Sequence, residues 1–168
     1  IAEDALEYIA RMGDGSMRDS VSLLDQCASY DFQEEISYED ALKVLGAVDT
    51  TVFSSLVRAL RAKNMQAVME NIATVLEQGK ELTQYCSDLL QYFRNMMLAK
   101  SVQNLQGLVD LSEENKLLLL EDAKEMPMEE ILRGIRLLSE LLQQFRYANQ
   151  KRVLLETCLM KLAFPETE

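Results

Sequence analysis

An all-α fold is predicted by three features of this sequence. Leu, Ala, Met, Glu and Gln, all good helix formers, dominate its 168 residues. Apolar residues recur at three- and four-residue spacings along most of the chain. No alternating apolar–polar run of strand type appears. With 48% apolar residues the chain can build a core, and six Gly with only two Pro argue against a loop-rich protein. The expected architecture is a three-helix unit over residues 1–46, a hinge at 47–50, and a bundle of about six helices over 51–168. An isolated helix of ordinary length is marginal in water, so each stripe needs a partner.

The elements follow in order. Residues 2–12 read as a helix with Ala5, Leu6, Ile9, Ala10 and Met12 on or near one face. Gly13-Asp14-Gly15 breaks it, and Ser16 is the expected N-cap of a helix running to about Ser29, with Val21, Leu24 and Ala28 inward. A polar connector over 30–36 leads to Ser37-Tyr38-Glu39-Asp40, where Asp40 stands near the N3 position of a capping box. Gly46 is expected just past that helix, and Asp49 or Thr50 is expected to cap the next. Val52, Phe53, Leu56, Val57 and Leu60 then share a face. After Asn64 so do Met65, Val68, Met69, Ile72, Val75 and Leu76, ending at Gly79. A longer helix carries Leu82, Tyr85, Cys86, Leu89, Leu90, Phe93, Met96 and Met97. Gly107 falls in a loop, and Ser112 caps a helix containing Leu117 to Leu120. Pro127 suits the first turn of a helix presenting Ile131, Leu132, Ile135, Leu138, Leu142 and Phe145. The last helix presents Val153, Leu154, Cys158, Leu159 and Leu162. Tyr92, Phe93, Phe145 and Tyr147 serve either core or interface, with core preferred for the phenylalanines.

Composition narrows the chemistry. The chain has no histidine, which removes imidazole acid–base work and His metal ligation. It has no GxxxxGK[ST] phosphate loop and no strand ending in paired acids that could hold magnesium. Acidic pairs such as Glu113-Glu114 read as solvated charge. Ser16, Ser20 and Ser22 have no base to activate them, so no nucleophile, base and oxyanion site assemble. Cys27, Cys86 and Cys158 are too few and too far apart for a disulfide framework or a zinc site. They read as buried free thiols, in keeping with a reducing cytoplasm. No apolar run of about 18 residues suggests a membrane span.

Net charge is −11. Residues 1–50 carry −9, residues 51–130 carry −4 and residues 131–168 carry +2. An acidic surface repels phosphates, so direct DNA binding by this chain is not expected. The basic C-terminal part (Arg133, Arg136, Arg146, Lys151, Arg152) is either a local patch or a partner for the acidic remainder, within the chain or across subunits.

The most informative stretch is Gly15-Ser16-Met17-Arg18-Asp19-Ser20, followed by Val21-Ser22-Leu23-Leu24-Asp25-Gln26. It puts an arginine in the first turn of a helix, where the partial positive charge of the helix end disfavours a cation by roughly 0.3–1 kcal/mol. An anion beside it would reverse that balance, because helix N-termini bind phosphate through free N–H groups and an arginine adds a bidentate contact. A solvated arginine following a Ser cap accounts for the same residues without a ligand.

Residues 13–26 closely resemble the sensor-2 segment of the bacterial DNA polymerase III clamp-loader gamma/tau family, which are AAA+ ATPases. Ile36-Ser37, Val44-Leu45-Gly46, Val153-Leu154-Leu155-Glu156 and Leu159 to Phe164 extend the resemblance over nearly the whole chain, loosely through 80–130. The resemblance implies that residues 1–46 are a partial lid and residues 51–168 a collar domain that assembles subunits into a ring. Arg18 would then touch the γ-phosphate of ATP, with Met17 near the adenine and Gly15, Ser16 and Asp19 supporting the turn. The chain begins at Ile1 within a helical pattern and without an initiator Met. The resemblance implies that the phosphate loop, the magnesium acids and the arginine finger lie upstream, in a full-length parent that uses ATP and Mg. No cofactor and no ATP hydrolysis are expected of these residues alone. The resemblance also implies delta, delta-prime and further gamma/tau copies as collar partners, sliding clamp and primed DNA as partners of the full complex, and a cytoplasmic bacterial setting. The alternative is a generic all-α adaptor with no nucleotide role.

Overall fold

The computed structural model describes residues 2–13, 17–28, 36–41 and 47–167. The expected N-cap Ser16, the turn glycine Gly15, the connector up to residue 35 and Gly46 lie outside the described residues. Among the described residues the chain forms nine α-helices and a final 3-10 turn, with no strand. The helices are α1 (Glu3–Met12), α2 (Met17–Ala28), α3 (Tyr38–Ala41), α4 (Ala47–Arg61), α5 (Met65–Glu77), α6 (Leu82–Ser101), α7 (Glu113–Glu125), α8 (Met128–Phe145) and α9 (Lys151–Ala163).

Local chemistry sets the helix ends. Ser37 and Asp40 form the expected reciprocal cap: Asp40 N–H donates to Ser37 Oγ and Ser37 N–H to Asp40 Oδ2, both at 3.1 Å. Asn64 accepts from Ala67 N–H at 3.2 Å and Ser112 from Asn115 N–H at 3.3 Å, capping α5 and α7. Gly79, at φ +84°, ends α5: its N–H bonds to Leu76 O and the Lys80 N–H to Val75 O. Lys63 makes the same turn after α4 at φ 57°, with no glycine to announce it in the sequence. Pro127 sits one position earlier than expected, at the N-cap of α8. Residues 47–50, read as a hinge with Asp49 or Thr50 as cap, are helical and open α4. Ala-Val-Asp-Thr contains no Gly or Pro to interrupt a helix.

Two hydrophobic clusters form. The smaller unites α1, α2 and α3 through Ala5, Tyr8, Ile9, Cys27 and Ala41, with Leu23, Leu24, Ile36 and Tyr38 around them. The inward face differs from expectation: Tyr8 is buried, whereas Leu6, Met12 and Val21 are exposed. The larger cluster spans α4 to α9, with the long α6 packed against α8, α7, α4 and α9. Phe53, Leu56, Ile72, Tyr85, Leu89, Phe93, Met96, Leu119, Ile131, Leu138 and Leu155 are its largest fully buried side chains. Gly134 lets α8 approach α6 closely, because a Cβ there would come within 2.2 Å of the Phe93 ring. The stripe of α8 is Ile131, Gly134, Leu138, Leu141 and Phe145 with Leu137, whereas Leu132 is exposed. On α9, Leu155 and Ala163 join Cys158 and Leu159 inside, whereas Val153 is exposed. Tyr92, Phe93 and Phe145 are core, and Tyr147 is exposed. All three cysteines are buried free thiols.

Candidate functional site

The sequence-predicted site lies at the start of α2. Gly13 closes α1 and lets α2 in: a Cβ there would meet Ser20 Oγ at 2.2 Å and Ser20 N at 2.9 Å. Only a residue without a side chain permits this approach, so Gly13 fixes where the first turn of α2 stands. Cys27, Leu23 and Leu24 turn inward from α2, and burial raises the Cys27 thiol above its usual range. Met17, Arg18 and Asp19 face outward, Met17 at 82% exposure. Among the described residues none forms a hydrogen bond or ion pair with Arg18 that would hold its guanidinium down. The first turn of α2 thus carries an exposed cation and an exposed apolar side chain at adjacent positions. Asp19, also in that turn, supplies the negative charge that a helix N-terminus favours.

Two carboxylate centres lie elsewhere, and neither is marked by a motif. Asp110, in the segment before α7, accepts from Arg11 Nη2 of α1 at 2.9 Å and from the Tyr38 hydroxyl of α3, both on Oδ1. Burial, followed by the bond to Asp110, pushes the Tyr38 hydroxyl well above the ordinary phenol range, so it remains a donor. Asp122, on α7, is 4% exposed and accepts from Tyr92 Oη at 2.5 Å and Arg58 Nε at 3.1 Å. Arg58 reaches Glu121 as well, at 3.1 Å, and its bond to Asp122 is the first cause of its raised pKa. Sequence reasoning missed both centres because their partners lie 30 to 99 residues away. Among the described residues no cluster of three or more Cys, Asp or Glu is arranged to hold a metal ion.

Residues 36–168 match the family model described as DNA polymerase III subunits gamma and tau domain III. The chain belongs to this gamma and tau family. Residues 1–30 match a second family model, the ATPase lid domain of the DNA polymerase III clamp loader subunit, and α1 and α2 with Met17, Arg18 and Asp19 fall within that match. The chain is 31% identical over 162 residues to DNA polymerase III subunit tau of Bacillus subtilis, covering 96% of this chain and 28% of that protein. It is 29% identical over 168 residues to subunit gamma/tau of Mycobacterium tuberculosis, covering 98% of this chain and 29% of that protein. The chain therefore spans less than a third of these gamma and tau relatives. Among solved structures, the DNA clamp loader delta protein of Bacillus subtilis superposes with a TM-score of 0.61 at 15% identity, over 96% of this chain and 50% of that one. At that identity the likeness concerns the helical fold alone. The two family models thus match successive parts of one chain. Among the described residues no helix is long and apolar enough to cross a membrane.

Proposed function

We propose that this chain is the ATP-sensing end of the lid, followed by the collar, of a gamma/tau clamp-loader subunit, and that Arg18 reads the γ-phosphate of ATP held by an upstream nucleotide-binding core. The observation that carries this reading is the place of Arg18, an exposed guanidinium in the first turn of a lid helix that matches the family. Such a group supplies a charge-assisted bond that exists only while the γ-phosphate does, so the lid angle follows nucleotide state. Met17, exposed beside it, packs near the adenine. In the family resemblance Gly15, Ser16 and Asp19 are the residues assigned to support this turn. ATP and Mg belong to the full-length parent, and these 168 residues do not turn over ATP alone.

The collar assembles the subunit with further gamma/tau copies, delta and delta-prime through apolar flanks, as closed rings require. Sliding clamp and primed DNA are partners of the complete complex in the bacterial cytoplasm. The lid occupies residues 1–46 and the collar 51–168. Two separate hydrophobic clusters, one ending at Ala41 and the other beginning near Val52, support that division, whereas the domain III match starts earlier, at residue 36, and includes α3.

The test is Arg18→Ala in the full-length parent, with Arg18→Lys beside it. Losing one charge-assisted hydrogen bond should lower DNA-stimulated ATP turnover and clamp loading by about tenfold or more, with the circular dichroism spectrum unchanged. The Lys variant should recover only part, because it keeps the charge but not the bidentate fork. Wild-type turnover in Arg18→Ala overturns the assignment.

A further inference from the structure

The two clusters meet through polar contacts. Arg11 from α1 and the hydroxyl of Tyr38 from α3 converge on Asp110 Oδ1. The Tyr8 ring stands edge-on to Tyr38 with centroids 5.7 Å apart, and Arg11 lies 6.0 Å from the Tyr8 ring. These three side chains form a socket on the smaller cluster. One step away, Glu39 Oε1 accepts the backbone N–H of Glu113 at 3.2 Å, at the start of α7.

The carboxylate that enters the socket is held by the larger cluster. Val109 and Leu111, on either side of Asp110, are both buried in it. Arg94 of α6 donates to Leu108 O at 2.7 Å, and the Leu108 and Val109 N–H groups both bond to Leu105 O. Asp110 therefore moves with α6, while Arg11 and Tyr38 move with α1 and α3. Between them lies a cleft of about 200 Å³, where Tyr8 and Met12 face Phe53, Tyr92, Val109 and Leu111.

We infer that Asp110 is the catch of a releasable latch between the smaller and the larger hydrophobic cluster, a positioning residue that fixes the angle at which α1 to α3 sit on α4 to α9. Both charged partners are about half exposed, at 55% and 45%. An exposed ion pair contributes little and exchanges readily with water, which suits a contact that must open and close. The shared carboxylate oxygen couples the two side chains, since losing Asp110 removes the Arg11 and Tyr38 contacts together and leaves only the Glu39–Glu113 bond between α3 and α7. The role of this latch in passing nucleotide state to the collar rests on the function proposed above; its existence does not.

Amide hydrogen exchange on the 168-residue chain tests it without nucleotide. In Asp110→Ala, exchange in α1 and α3 should speed about tenfold while α4 to α9 keep wild-type rates. Arg11→Ala and Tyr38→Phe should each speed the same helices, and Arg11→Ala should add nothing in the Asp110→Ala background. Unchanged exchange in α1 and α3 overturns the latch. So does equal acceleration in α6 and α7, which would make Asp110 a plain structural residue of the larger cluster, and so does an independent, additive effect of Arg11→Ala. Because no ATP is used, failure here is distinct from failure of the phosphate-sensing role, which the Arg18 variants report separately.

Discussion

At the scale of single residues, Asp122 shows how one buried charge is made tolerable. It is almost fully removed from water, and Tyr92 and Arg58 bond its two oxygens from two other helices. Asp122→Ala removes the acceptor of the buried Tyr92 hydroxyl and leaves it Ser54 alone. A loss of about 1–3 kcal/mol is expected in urea unfolding at pH 7. Tyr92→Phe should cost less, since Arg58 still meets the carboxylate. A second prediction concerns alkali. Burial pushes the Cys86 thiol up to about 12 and the Cys158 thiol up to about 11, against 9.0 for an unfolded thiol. A folded pKa above the unfolded one means that the folded chain binds more protons in between. The stabilisation is complete below pH 9 and is lost as pH rises through 11 and 12. At pH 10 each thiol should have removed about 1 kcal/mol of stability. Urea midpoints at pH 8 and pH 10 check this: a Cys86→Ala, Cys158→Ala variant should fall less between them than the wild type. The burial of these thiols was legible because each cysteine sits in an apolar helical context. Asp110 and Asp122 were not, because a lone acid with no local partner looks like any solvated charge.

At the scale of elements, α6 and α8 meet over a glycine. In an exposed helix Gly134→Ala would favour the helix by roughly 1 kcal/mol. Here the new methyl would come within 2.2 Å of a fully buried Phe93 ring. Overpacking costs typically about 1–3 kcal/mol, so Gly134→Ala should lower the melting temperature. Gly134→Ala with Phe93→Leu should recover part of the loss, and full additivity of the two changes would count against the clash. Gly13 works the same way, with less freedom, because one near neighbour is the Ser20 backbone nitrogen. Helix starts were readable where Ser37, Asn64, Ser112 and Pro127 announced them. Inward faces were less so. In Leu117 to Leu120 four adjacent leucines give no periodicity, and the structure buries Leu119 while Leu117 and Leu120 remain exposed. In α9 the apolar residues surround the helix, so spacing alone could not choose between Val153 and Leu155.

At the scale of the whole molecule, stability is unevenly shared. The α1–α3 cluster is far smaller than the one running from Phe53 to Ala163. Local opening should therefore be easiest in α1 to α3. Urea titration followed by hydrogen exchange is expected to show these helices unfolding first, with α4 to α9 following in a separate, steeper step. A single coincident transition would mean that the two clusters are more tightly coupled than their contacts suggest. That Arg18 stands in the first turn of a helix was visible in the sequence, because it rests on a local pattern. The way one unit sits on the other was not, since it depends on Arg11 and Tyr38 finding a carboxylate 99 and 72 residues further along.

That carboxylate lies in an alternation, with Val109 in, Asp110 out and Leu111 in. In such a stretch the spacing between the two apolar pegs carries as much information as the acid itself. Inserting or deleting one residue between Gln106 and Ser112 would leave charge and composition almost intact, yet rotate the acid to the opposite side of the chain. In this segment, counting residues should say more about a homologue's behaviour than comparing them.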